Sequence, residues 1–74
     1  MTDDSAAAAF GRRLRAAREA RGLSQETLAL QAGLHRTYVG SAERGLRNVS
    51  LVNILKLSRA LGIEPGQLLD GLQE

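Results

Sequence analysis

Apolar residues recur along this chain at the three- and four-residue spacing of helices. Phe10, Leu14 and Ala17, with Arg21 one turn on, share one face of a helix that Ser5 can cap and Gly22 can stop. Ser24 opens a second run over residues 25–31, with Leu28, Ala29 and Ala32 as its inner stripe. Gly33, Leu34 and His35 separate it from a third run, Arg36 to Glu43, in which Val39 and Ala42 form the apolar pair and Gly45 marks the stop. A polar loop over 46–49 leads to Ser50, the cap of a fourth helix. Its inner face reads Leu51, Ile54, Leu55, Ser58 and Leu61, and Gly62 ends it. Pro65 fits the first turn of a fifth helix carrying Leu68, Leu69 and Leu72. No segment alternates as a strand does. The pattern predicts an all-α chain of five short helices, with a disordered tail over residues 1–4 and a single domain over 5–74.

The third helix holds two residues that do not suit it. Gly40 lies in mid-run, where glycine costs about 1 kcal/mol relative to alanine. Glu43 places a negative charge at the negative end of the helix dipole. Both ask for a partner outside their own helix.

The chain has 74 residues, no cysteine and one histidine. A chain near this size hides only about 60% of its unfolded surface, and its core alone rarely supplies more than roughly 3–5 kcal/mol. Disulfides are absent, and His35 by itself makes no structural zinc site. Self-association is the remaining support. The longest apolar run, Ala6 to Phe10, is too short for a membrane span and lacks the basic lead of a signal peptide. A soluble, cytoplasmic protein without membrane contact is expected.

A net charge of +2 conceals an asymmetry. Residues 5–60 carry ten bases, nine of them arginine, against Glu19, Glu26 and Glu43. Arginine suits bidentate phosphate and base contacts. A basic middle points to a polyanion or to a solvated helical surface.

Two short helices joined by a glycine-containing turn, the second bearing polar groups outward, have the helix-turn-helix layout. In that layout the second helix enters the major groove. Residues 22–69 carry G-L-S-Q-E, the L-A-x-x-A-G turn, R-T-Y-V, E-R-G, and S-L followed by L-x-L-S-x-A-L-G-I. On these motifs the chain resembles the phage-repressor, Cro-like (XRE-type) helix-turn-helix family, and "RLRAAREARG" fits that family's opening helix. R-T-Y-V followed by E-R-G-x-R-N looks most like the small dimeric controller proteins of restriction–modification operons.

The resemblance implies a lambda-repressor-like domain and a role for each matching residue. Gln25 would bind a phosphate beside its own helix start. Arg36 and Thr37 would read base edges, arginine on guanine O6 and N7 and the threonine methyl on a thymine methyl. Tyr38 would put its hydroxyl on a phosphate at the groove edge. Ser41, one turn beyond Thr37, would touch base or phosphate, and Arg44, Arg47 and Asn48 would hold phosphates from the following loop. His35 takes the cap position where the family commonly has serine or threonine, and its imidazole is a further candidate phosphate donor. Gly40 falls on the groove-facing side, where a missing side chain would allow close approach or admit a base methyl; the alternatives are drift or close packing. Glu43 would pair with Arg18 of the first helix, a structural clamp. Ile63, Leu68, Leu69 and Leu72 would form a two-fold dimer interface, because a short terminal helix has little chain left to cover its leucines.

The expected function is a dimeric, sequence-specific transcriptional regulator of controller type. It would occupy a near-palindromic operator on double-stranded DNA and block or recruit RNA polymerase. No cofactor, metal or small-molecule ligand is expected. The alternative is an antitoxin-like or other protein-interaction module with DNA binding secondary. An enzyme is disfavoured: the chain lacks cysteine, paired acids on one face and a phosphate-binding glycine loop.

Overall fold

The computed structural model describes residues 5–73, so the tail expected over residues 1–4 lies outside the described residues. Within them the chain forms α1 (Ala6–Ala20), α2 (Gln25–Ala32), α3 (Arg36–Glu43), α4 (Leu51–Leu61) and α5 (Gly66–Leu69). No strand occurs among the described residues.

Local chemistry sets most of these boundaries. Ser5, Ser24 and Ser50 each accept a hydrogen bond at Oγ from the backbone N–H three residues on, at 3.0–3.1 Å. Each bond satisfies one amide that its helix leaves unpaired. Ser24 Oγ also donates to Thr27 Oγ1 at 3.0 Å, so threonine joins the cap where glutamate would reach back in a capping box. His35 caps α3 by backbone geometry alone, with no side-chain bond.

The core takes Phe10 and Leu14 from α1, Leu28, Ala29 and Ala32 from α2, Val39 and Ala42 from α3, Leu57 and Leu61 from α4, and Leu68 from α5. Two expectations are corrected here. The inner face of α4 is Ile54, Leu57, Ser58 and Leu61, while Leu51 is 69% exposed and Leu55 44% exposed. Leu51, Ile54, Leu55 and Leu57 make the apolar arc of α4 wider than one face. Packing against α2 selects which part of it turns inward.

The second correction concerns the C-terminus. The fifth helix ends at Leu69, and Leu72 lies beyond it, half-buried against the core. Leu68 is 1% exposed, because α5 folds back onto α1. It is a core residue and is not available to a second subunit. Ile63 and Leu72 likewise pack partly against the core of their own chain. Arg21 reinforces this end of the fold by donating to the Leu61 carbonyl at the last turn of α4.

α1 crosses the C-terminal turn of α3 at very short range. A Cβ on Gly11 would lie 2.5 Å from the carbonyl oxygens of Ala42 and Glu43. These are backbone atoms of a packed helix and cannot swing aside. Gly11→Ala is therefore expected to destabilise the fold by about 1–3 kcal/mol despite alanine's better helix propensity. Urea denaturation measures this, and unchanged stability would show that α1 can slide outward without loss.

Candidate nucleic-acid interface

Between α2 and α3 the chain turns at Gly33, whose φ is 72°, and the Leu34 N–H donates back to the Ala29 carbonyl at 2.9 Å. This turn leaves the start of α3 in the open. His35, Arg36 and Thr37 are exposed and Tyr38 is half-buried, while Val39 and Ala42 face the core. Arg44, Arg47 and Asn48, immediately after α3, are exposed as well. The structure thus gathers three neighbouring polar residues at one end of α3 and three more at the other.

The second half of α3 differs from expectation. Residues 39–43 are all buried, because α1 covers the side of this turn that α2 and the core leave open. Ser41 is 6% exposed and is not on the open face. Its Oγ donates to the Tyr38 carbonyl at 2.8 Å and accepts from Arg47 Nε at 2.9 Å. The Arg47 guanidinium also lies 5.3 Å from the centre of the Tyr38 ring, within cation–π range. Ser41 thereby ties Arg47 to the backbone of α3.

Gly40 is also buried. A Cβ there would come 3.3 Å from Gln25 Oε1 and 3.5 Å from an Arg44 guanidinium nitrogen. The glycine therefore faces two side chains of its own protein, and close packing is the reading that fits.

Beneath them lies Glu43. Arg18 donates to both its carboxylate oxygens, Nε to Oε2 at 2.6 Å and Nη2 to Oε1 at 3.1 Å, and Nη1 donates to the Leu23 carbonyl at 2.8 Å. Gln25 Nε2 adds a third donor to Glu43, at 3.0 Å. Gln25 is half-buried by this contact. Nothing in the sequence signals the Gln25–Glu43 bond, since the two residues are 18 positions apart. The hydrogen bond that Arg18 donates to Glu43 raises the Arg18 pKa above its ordinary value, against the opposing effect of burial. A raised pKa on a base means stabilisation that holds below the usual arginine range and is lost only as pH climbs through the raised value.

Among the described residues no group of three or more His, Cys, Asp or Glu side chains is placed to hold a metal ion. No helix among them is long and apolar enough to cross a membrane.

A pair of short helices joined by a tight turn, with the second helix open and basic at its start, is the frame of a DNA-reading module. The helix-turn-helix family profile matches residues 14–68, and the chain belongs to this family of DNA-binding transcriptional regulators, which is not an enzyme class. Over 62 residues the chain is 53% identical to Control protein C.BamHI of Bacillus amyloliquefaciens, spanning 82% of this chain and 76% of that one. It is similar to the crystal structure of the restriction-modification controller protein C.AhdI from Aeromonas hydrophila, with a TM-score of 0.81 and 67% identity over 82% of this chain and 92% of that one. It also matches SinR, the master regulator for biofilm formation, solved in complex with DNA. There the TM-score is 0.79 and the identity 35%, over 82% of this chain and 98% of that chain.

The buried pair and a surface pair on the same helix give an internal comparison. Arg18→Met removes the partner of a carboxylate whose side chain is 3% exposed, and is expected to cost roughly 3–5 kcal/mol. Arg15→Met breaks the Arg15–Glu19 pair, 65% and 54% exposed, at a cost below about 1 kcal/mol. Denaturant titrations of the two variants side by side check both values.

Proposed function

We propose that this chain is a controller-type regulator of a restriction–modification operon, binding a near-palindromic operator in the cytoplasm as a homodimer. The observation that carries the reading is the open start of α3. Arg36 and Thr37 are exposed there on a helix whose other faces are packed against α1, α2 and the core. Arg36 pairs with a guanine edge and Thr37 with a thymine methyl, while His35, Tyr38, Arg44, Arg47 and Asn48 hold the flanking phosphates. Gln25, the first residue of α2, donates to a phosphate of the adjoining strand. The similarity to controller proteins and to a DNA-bound regulator supports this assignment.

With Leu68 in the core, Leu69 is joined as dimer surface by three further exposed leucines, Leu46, Leu51 and Leu55. A two-fold contact built on these sets the two α3 helices about 34 Å apart, one turn of DNA. Occupancy of the operator then blocks or recruits RNA polymerase.

In gel-shift titrations with the DNA upstream of its own gene, the wild type is expected to outbind random duplex at the same salt. Arg36→Ala should narrow that preference by about 1–3 kcal/mol, and Arg44→Ala should weaken both duplexes together and reduce the salt slope by about one. Equal, salt-erased binding to both duplexes by the wild type would reduce the basic face to an electrostatic patch. Leu51→Asp is expected to give a monomer by sedimentation with its helical signal intact; a persistent dimer would move the interface elsewhere.

A further inference from the structure

Arg47 stands in the loop after α3, and two residues of that helix fix its guanidinium. Ser41 Oγ accepts from Arg47 Nε at 2.9 Å. The same hydroxyl donates its one proton to the Tyr38 carbonyl, at 2.8 Å. With the proton committed there, the oxygen can only accept toward Arg47. Ser41 is 6% exposed, so little water competes for this oxygen. The guanidinium carbon also lies 5.3 Å from the centre of the Tyr38 ring. Residue 38 thus braces Arg47 twice, through Ser41 with its carbonyl and directly with its ring. A guanidinium carries five N–H groups. Ser41 takes one, and the other four have no partner among the described residues. Arg47 is oriented by its own protein and still has most of its donors to give.

We propose that Ser41 is a positioning residue for DNA binding: it holds the Arg47 guanidinium in its binding orientation before a duplex arrives, and does not meet the duplex itself. This rests on the DNA-binding reading above and gives the enclosed half of α3 a part in it. A free arginine loses rotamer freedom when it grips a ligand, and that loss subtracts from affinity. Here the freedom is already given up in the folded protein, through a hydroxyl that α3 holds in one place. Lysine at residue 47 would keep the charge but has no guanidinium Nε–H to give Ser41. Charge and orientation at this residue can therefore be separated by substitution.

Ser41→Ala, Arg47→Lys and the double variant, each titrated on operator and on random duplex, test this. Ser41→Ala is expected to weaken binding about threefold to tenfold with no change in salt slope, because orientation is lost and no charge is removed. Arg47→Lys should weaken binding with the slope likewise kept. In the Arg47→Lys background the Ser41→Ala change should have no further effect. In the free wild type the Arg47 Nε–H proton should exchange slowly with solvent, and in free Ser41→Ala it should exchange rapidly. Wild-type affinity in Ser41→Ala would overturn the proposal. So would losses that add in the double variant, which would mean that Ser41 meets the duplex itself or acts through the fold. Rapid exchange of the Arg47 Nε–H in the free wild type would overturn it without any DNA present. A wild type without operator preference defeats the regulatory reading alone, since the positioning role is then judged on random duplex.

Discussion

The Glu43 carboxylate collects donors from two other helices, and the placement of α3 depends on that convergence. Arg18 reaches it from α1 with both arms of its guanidinium, and Gln25 reaches it from the start of α2. An acid in the last turn of a helix opposes the helix dipole, so Glu43 does nothing for α3 alone. Its value is tertiary. It fixes the angle and depth at which α3 sits against its neighbours. A buried ion pair is weak evidence of net stability, since desolvation offsets much of the attraction. It is better understood here as a device of orientation. α1, α2 and α3 each send one polar group to a single point, and only one mutual arrangement satisfies all three.

That convergence has a steric counterpart a short distance away. Gly11 lets α1 approach the carbonyls of Ala42 and Glu43 directly, with Ala8 of the same helix against Gly45. Small residues bring the backbones together, and the charged pair sets their register. The result is asymmetric for α3. Its final turn is enclosed on all sides, and its first turn stays open to solvent. Functional polarity along an eight-residue helix follows from which half α1 covers.

Much of the architecture was legible in the sequence because it rests on local chemistry. Serines before α1, α2 and α4, and glycines after α1 to α4, mark the ends of these helices, and α3 has its expected bounds from Arg36 to Glu43. Tertiary choices were not legible in the same way. The apolar arc of α4 admits more than one inward face, and Leu57 became core only through packing against α2. Leu68 could be placed only once α5 was known to fold back on α1. Ser41 has helical spacing from Thr37, so its burial follows from the crossing of α1, which involves residues 30 positions away in sequence. The Arg18–Glu43 pair was implied by family resemblance rather than by spacing, and the Gln25 contact with Glu43 had no signal at all.

One aromatic side chain gives this arrangement a further use. The protein has a single tyrosine and no tryptophan. Tyr38 sits at the junction of the open and enclosed halves of α3, with a guanidinium over its ring. Nearly all of the protein's native ultraviolet emission therefore originates from α3. Quenching, lifetime and anisotropy of that light report on one turn of one helix, without an added label, and the chain carries its own optical probe where a duplex would dock.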